Sequence, residues 1–125
     1  MLSHERENTA ERGAVVSKAA LRACERLEIR GRLLGRILGL SEASVSRLKR
    51  GDLTLSPDEK PFELALMFIR LFRSLDAITG GDETVARAWM RNENSALGGA
   101  PIDRILTIAG LTDVLAYLDA RRALV

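Results

Sequence analysis

The stretch "SPDEKPFELALMFIRLFRSLDAITGG", residues 56–81, constrains the fold more than any other part of the chain. Ser56 can cap a helix, Pro57 suits a first helical position, and Asp58 and Glu59 complement the positive end of the helix dipole. Gly80-Gly81 marks a stop, so the pattern predicts a helix over 57–79. Along it Phe62, Leu64, Leu66, Met67, Phe68, Ile69, Leu71, Phe72, Leu75 and Ile78 occupy more than half of the circumference. They leave a narrow polar stripe around Glu63, Arg70 and Ser74. A helix of this kind must be covered on several sides. Glu63, Arg70, Arg73 and Asp76 argue against its crossing a bilayer. The expectation is a central core helix that also meets a second subunit, with Leu66 and Met67 on opposite edges of the polar stripe and Arg70 beside them as dimer contacts.

What surrounds this helix is also helical by its signals. The chain has 125 residues, rich in Leu, Ala and Arg and poor in aromatic and β-branched types. That balance favours helices over strands, and no segment alternates as a strand should. Residues 1–12 read as a flexible, frayed tail. Residues 13–28 read as a helix with Val16, Ala19 or Ala20, Ala23 and Leu27 on one face, broken at Gly31. Asp82 caps a helix with Val85, Ala88 and Trp89 inward. Pro101 opens a short helix, "PIDRILTI", ended by Gly110. A last helix over about 111–122 carries Leu111, Val114, Leu115 and Leu118 at i, i+3, i+4, i+7 spacing.

Several classes of chemistry find no support. Cys24 is the single cysteine, read as a plain helix residue, so no intrachain disulfide can form. His4 is the single histidine, in a polar N-terminal stretch, and makes a poor metal site. The chain shows no carboxylate pair, Ser/His/Asp set, metal cluster or phosphate loop, so the expectation is no enzyme, no metal and no cofactor. The charged N-terminus lacks a signal-peptide core, and no apolar run is long enough to span a membrane, which points to a cytoplasmic protein. The charge is uneven. Residues 1–51 carry 11 Lys/Arg against 6 Asp/Glu, net +5, and residues 52–125 carry 8 against 11, net −3. The split suggests two partners of different charge.

The segment "GRLLGRILGLSEASVSRLKRG", residues 31–51, meets the requirements of a helix-turn-helix. Gly35 is the small residue where two helices cross, and Gly39 makes the turn. Leu34, Leu38, Leu40, Val45 and Leu48 supply the buried positions. An ordinary helical hairpin is the alternative. Read as a helix-turn-helix, residues 42–50 form the recognition helix, with Ser41 as its cap. Ser41, Glu42, Ala43, Ser46 and Arg47 then face the major groove, with Arg47 as the candidate for bidentate guanine contact. Lys49, Arg50, Arg32 and Arg36 are the phosphate candidates. One such motif reads few base pairs, so specific binding calls for a dimer.

The stretch "WMRNENSALGGAP", residues 89–101, is by its chemistry a tight loop: Asn92 and Asn94 for side-chain turns, Gly98 and Gly99 for positive φ, Pro101 to start a helix. Beyond that, Trp89-Met90, Asn92 and Asn94, Ala96-Leu97-Gly98-Gly99, Pro101, Ile105-Leu106, Gly110, Val114 and Leu118 together resemble the toxin-binding domain of the Xre/MbcA/ParS-type antitoxins. Met90 and Ile105 stand where Leu is more usual. The resemblance covers nearly the whole chain, because that family commonly places a divergent helix-turn-helix ahead of this domain. It implies an all-α fold: a helix-turn-helix DNA-binding domain over 13–55, then a small helical dimerisation and toxin-binding domain over 56–125. It implies a cognate toxin, usually of the RES type that degrades NAD, and an antitoxin whose C-terminal region covers the toxin's cleft while the complex binds operator DNA. Asn94 and Leu97 from the loop are then toxin-contact candidates, with Tyr117, Leu118, Arg121, Arg122, Leu124 and Val125 from the last helix and tail. Asp119 or the terminal carboxylate is a candidate mimic of the dinucleotide's phosphate. Two other readings stay open: a stand-alone dimeric repressor, and an antitoxin against an ADP-ribosyltransferase relative.

Overall fold

The computed structural model describes residues 2–124, with side chains from Glu5 onward, and places 72% of the described residues in helix. Val125 and the side chain of His4 lie outside the described residues. Seven helices follow one another: α1 (Leu2–Arg26), α2 (Gly31–Leu38), α3 (Glu42–Arg50), α4 (Lys60–Ile78), α5 (Glu83–Arg91), α6 (Pro101–Arg104) and α7 (Ile108–Arg122). No strand forms among the described residues. The all-α expectation holds.

The apolar segment is central, as its circumference demands. α4 packs most extensively on α7 and α1, and also meets α2 and α5. Phe62, Phe68, Leu71 and Leu75 of α4 interlock with Leu27, Leu34, Leu38, Met90, Ile105, Leu111, Val114 and Leu118 in one continuous core, all under 2–3% exposed. Burying a side chain of this size is worth about 1.5–3 kcal/mol.

Where the chain departs from expectation, a backbone constraint explains it. α4 begins at Lys60, not at Pro57. Ser56–Glu59 is instead a turn, with the Glu59 N–H donating to the Ser56 carbonyl at 3.0 Å. A helix begun at Pro57 would bury Pro61 in its interior, where the ring blocks the i−4 carbonyl and no N–H can be donated. Starting at Lys60 leaves Pro61 in the first turn, where prolines are tolerated. At the other end of the chain's first segment, residues 2–12 extend α1 as helix instead of forming an irregular tail. Their Glu, Arg and Ala content is helix-compatible, and elongating a helix nucleated by residues 13–26 costs far less than starting one. Within α1, Ser17 is buried. Its hydroxyl donates to the Gly13 carbonyl at 2.7 Å and accepts the Leu55 N–H at 2.9 Å, pinning the 52–56 link to α1. A Cβ on Gly13 would collide with the Leu55 carbonyl.

α5 turns Ala86 and Met90 inward, while Val85 is 50% exposed, Ala88 is exposed and Trp89 is half-buried. The residues on α5 that meet α1, described below, fix this rotation. Gly110 does not end a helix. α6 stops at Arg104, and Thr107 caps α7 by accepting the Gly110 N–H at 3.0 Å. Gly110 sits in the first turn of α7, against the Arg104 carbonyl, where any Cβ would overlap that oxygen. Its role is close approach. Gly80, by contrast, has open space around it and needs glycine only for its φ of +62°. Gly110→Ala is therefore expected to cost about 1–3 kcal/mol through overpacking, and Gly80→Ala about 1 kcal/mol through left-handed strain. Thermal unfolding followed by circular dichroism should rank them in that order; equal midpoints would contradict the Gly110 contact.

Candidate nucleic-acid and partner-protein surfaces

The α2–α3 pair is built as its sequence requires. At Gly35 a Cβ would stand 2.7 Å from the Leu40 carbonyl and 3.3 Å from Val45, so only glycine allows this crossing. Gly39 adopts φ +72° and closes α2, and the Leu40 N–H donates to the Gly35 carbonyl at 2.8 Å. The Ser41 side chain accepts the Ser44 N–H at 3.1 Å, and Gly51 ends α3 with φ +80°. Val45 and Leu48 are buried, which fixes the face that α3 shows to solvent.

On that outward face Ala43, Arg47 and Arg50 fall at i, i+4, i+7, with Ser46 beside them; all are exposed. Glu42 is exposed at the start of α3 and makes a 3.7 Å ion pair with Arg32 of α2. Arg36 is exposed on α2. Arg50 leans toward Asp52 at 3.1 Å. Lys49 is the exception: two residues from Arg47, it lies on the opposite side of α3. Its Nζ comes within 2.8 Å of where a Cβ on Gly31 would stand. It rests over the start of α2, close to Cys24. Burial pushes the Cys24 thiol up to about 11, and its Sγ lies 2.8 Å from the Ile29 carbonyl, so it is an inert core residue.

In the C-terminal half, several loop and helix candidates prove to be structural. The Asn94 and Gly99 backbones pair in both directions at 3.2 Å, and the Asn94 side-chain oxygen accepts the Ala96 N–H at 3.0 Å. Leu97 is buried beneath this loop, and Leu118 is 1% exposed in the core. Leu118 shares the inward stripe of Leu111, Val114 and Leu115, so it is a packing residue and not a contact residue. The polar stripe of α4 is covered too. Asp119 of α7 accepts from Arg70 at 2.7 Å and from the buried Ser74 hydroxyl at 2.8 Å. The Arg122 guanidinium approaches that hydroxyl at 3.5 Å. Asp119 is therefore engaged within the chain. Arg70 is held on α7, and Met67 packs half-buried on the core, which leaves Leu66, 41% exposed, as the outward-facing apolar residue of the three dimer candidates.

What remains on the surface is a ladder. Trp89 stacks on Tyr117, with centroids 6.1 Å apart and planes at 22°. The Arg121 guanidinium lies over Tyr117 at 4.4 Å. Val85, one turn before Trp89 on α5, Ile108 at the start of α7 and Leu124, three residues after Arg121, are the exposed apolar residues of the same two segments, at 50%, 65% and 88%. Tyr117, Arg121 and Leu124 were expected from sequence; Val85 and Trp89 were placed inward. Their i, i+4 spacing matched a core face as well as a surface one, and only the rotation of α5 decides between them.

Arginines set that rotation. The last carbonyls of α1 have no helical partners. Arg87 Nε donates to the Arg26 carbonyl at 2.9 Å, and Arg91 donates to the Leu27 and Glu28 carbonyls at 3.0 and 2.7 Å. Arg87 also pairs with Glu83 at 3.0 Å and Glu28 at 3.3 Å, while Arg26 pairs with Glu83 at 2.7 Å and stacks on Phe72. This cluster joins the first helix to α5. Charge-assisted bonds at partly buried sites are worth about 1.5–3 kcal/mol each, less where water screens them. Arg87→Ala should lower the unfolding free energy by about 1–2 kcal/mol, measured by urea titration; an unchanged midpoint would show that the cluster does not stabilise the fold.

Two family models match the chain. The antitoxin Xre-like helix-turn-helix domain matches residues 6–70, and the antitoxin Xre/MbcA/ParS C-terminal toxin-binding domain matches residues 74–123. No individual curated protein matches it. The two matches meet on α4, the first taking in α1–α3, the second the loop of Asn94 and the Trp89–Tyr117 ladder. With a helix-turn-helix, a toxin-binding domain and more than half of its length matched by the first model alone, the chain belongs to the Xre/MbcA/ParS antitoxins, regulatory proteins of type II toxin–antitoxin systems.

Proposed function

We propose that this antitoxin acts in the cytoplasm as a homodimer, neutralises a RES-type toxin that degrades NAD, and represses its own operon. The RES assignment rests on the family resemblance. The neutralising surface rests on Val85, Trp89, Tyr117, Arg121 and Leu124, the two rings half-buried and the other three exposed, which carry this reading. Trp, Tyr and Arg are the residue types that dominate binding energies when a partner desolvates them. Here the two rings are already stacked, so little side-chain freedom is lost on docking. Leu124 projects past the end of α7 and is placed to enter a cleft ahead of the ladder. Arg121 can pair with acidic groups at the cleft's rim.

Operator binding uses the outward face of α3. Arg47 reads a base, and Arg50, Arg36 and Arg32 hold phosphates; Ser41, Glu42, Ala43 and Ser46 line the approach. Arg47→Ala should weaken operator binding by about 1–3 kcal/mol and relax discrimination at one base pair. Arg50→Ala should weaken all DNA alike and reduce the salt slope. Lys49→Ala, on the far side of the helix, should change little. Band-shift titrations on operator and scrambled DNA give the three values; an operator-specific loss in Lys49→Ala would invert the assignment of faces.

Neutralisation is tested by co-expressing the toxin encoded beside this gene and following growth and cellular NAD. Deleting residues 120–125 removes Arg121, Arg122 and Leu124 and keeps Leu118 and Asp119, so the fold should survive. The truncated protein should fail to protect, as should Trp89→Ala. Protection by both would exclude the ladder and direct attention to the exposed tip of the 92–100 loop. Unchanged NAD with a growth-arresting toxin would exclude the RES class while leaving the antitoxin role intact.

A further inference from the structure

We infer that two copies of the chain pair along α1, antiparallel and crossing at Val15, with Leu66 of α4 completing the seam. This rests on the homodimer in the reading above and adds where the two-fold axis lies. Val15 is 66% exposed and Leu66 41%, and together with Val16 and Phe62 they line one groove between α1 and α4. Arg12 also lines the groove and lies over Phe62, while Val15 and Leu66 stay exposed.

The occupant follows from the charges around that groove. Asn8, Glu11, Val15, Lys18 and Arg22 are spaced alternately three and four residues apart on the outward face of α1. That is the spacing of a two-helix seam. The order of charge along it is acidic, apolar, basic: Glu7 and Glu11 precede Val15, and Lys18 and Arg22 follow it. Antiparallel pairing about Val15 sets Glu11 opposite Lys18 of the other copy and Glu7 opposite Arg22, and the two-fold repeats both pairs. Parallel pairing would instead set each charge beside its like. None of these four side chains has an ion-pair partner among the described residues, whereas Arg26 at the end of the same helix is paired twice. Arg12, which would place a second cation near Lys18, is turned away over the Phe62 ring at 5.5 Å. Exposed ion pairs add little affinity, so the charges select register and direction while Val15 and Leu66 supply the apolar contact.

A Val15→Cys variant tests the axis, because residues on a two-fold meet their own copies. Under mild oxidation the full-length variant should form a disulfide-linked dimer. Cys24 will not compete, being buried with its thiol held in the protonated form. Charge exchange tests the register. Glu11→Lys and Lys18→Glu should each raise the dimer dissociation constant at least tenfold by sedimentation, and the two together should restore it to within threefold. Thermal melts check that each variant remains folded. A monomeric wild type at ~10 µM would sink both the homodimer and this seam. A dimeric wild type with no cross-link, or with no rescue by the exchange, would sink the seam alone. Loss of toxin binding in Val15→Asp with an intact dimer would assign the groove to the toxin and overturn the inference. The cross-linking and charge-exchange outcomes leave open whether the ladder neutralises, so failure of the seam and failure of the ladder are distinguishable.

Discussion

α4 cannot stand in water, and the rest of the molecule is arranged around that fact. Its apolar surface extends so far around the helix that no single neighbour can cover it. α1 and α2 meet one side, with Leu64 approaching Gly39 at the turn of the helix-turn-helix. α7 takes the other side, and even the polar stripe is used, since Arg70 and Ser74 bind Asp119. The two family domains therefore have no linker between them. They divide α4 at about residues 70–74 and share one core. A module that reads DNA and a module that holds a toxin are here two coverings of the same helix.

The second tie between them is polar. A helix ends with carbonyls that need donors. α1 satisfies this need from another part of the sequence, through Arg87 and Arg91 some sixty residues on. Glu28 is the one non-glycine residue with positive φ among those described, at +54°, in the turn that brings its carbonyl to Arg91. The same α5 carries Trp89. The orientation of the Trp89 ring is thus set by how the DNA-binding half terminates its first helix.

Much of the architecture was legible because its signals are local. Gly35, Gly39, Ser41 and Gly51 act within a few residues of themselves, and the helix-turn-helix emerges from them at the expected positions. Asp82 and the amphipathic stripe of α7 are legible for the same reason. Where the fold departs from its local pattern, two local signals compete or the cause lies far away in sequence. Ser56-Pro57 looks like a helix start until Pro61 is weighed. Gly110 looks like a stop, but its lack of a Cβ answers a tertiary contact with Arg104. Ser74 and Asp119 look like a solvated face and a free acid until α4 and α7 are brought together. No local pattern announces that Arg87 and Arg91 reach α1, so the rotation of α5, and with it the exposure of Val85 and Trp89, was not available from periodicity. In the same way Leu118, a contact candidate by its place on the last helix, shares the spacing of the core.

The charge asymmetry takes on a different meaning in the fold. From sequence, the split between a basic front half and an acidic back half suggests two partners of different charge. Of the back half's acids, Asp52, Glu63, Asp76, Glu83, Asp113 and Asp119 are in ion pairs within the chain, and Asp82 caps α5. Three of those six acids pair with arginines of the same half or its edge, Glu63 pairs with Lys60, and two use Arg26 of the front half, so much of the acid serves cohesion. A field that is already neutralised at contact distance steers little beyond a Debye length of about 8 Å. Among the groups of the back half without such partners are Arg121, whose nearest companion is a ring, and the exposed apolar side chains of Val85, Ile108 and Leu124. On the proposed neutralising surface, recognition would accordingly rest on shape and desolvation with one cation, and the toxin it would fit is one with an apolar cleft and acidic groups at the rim.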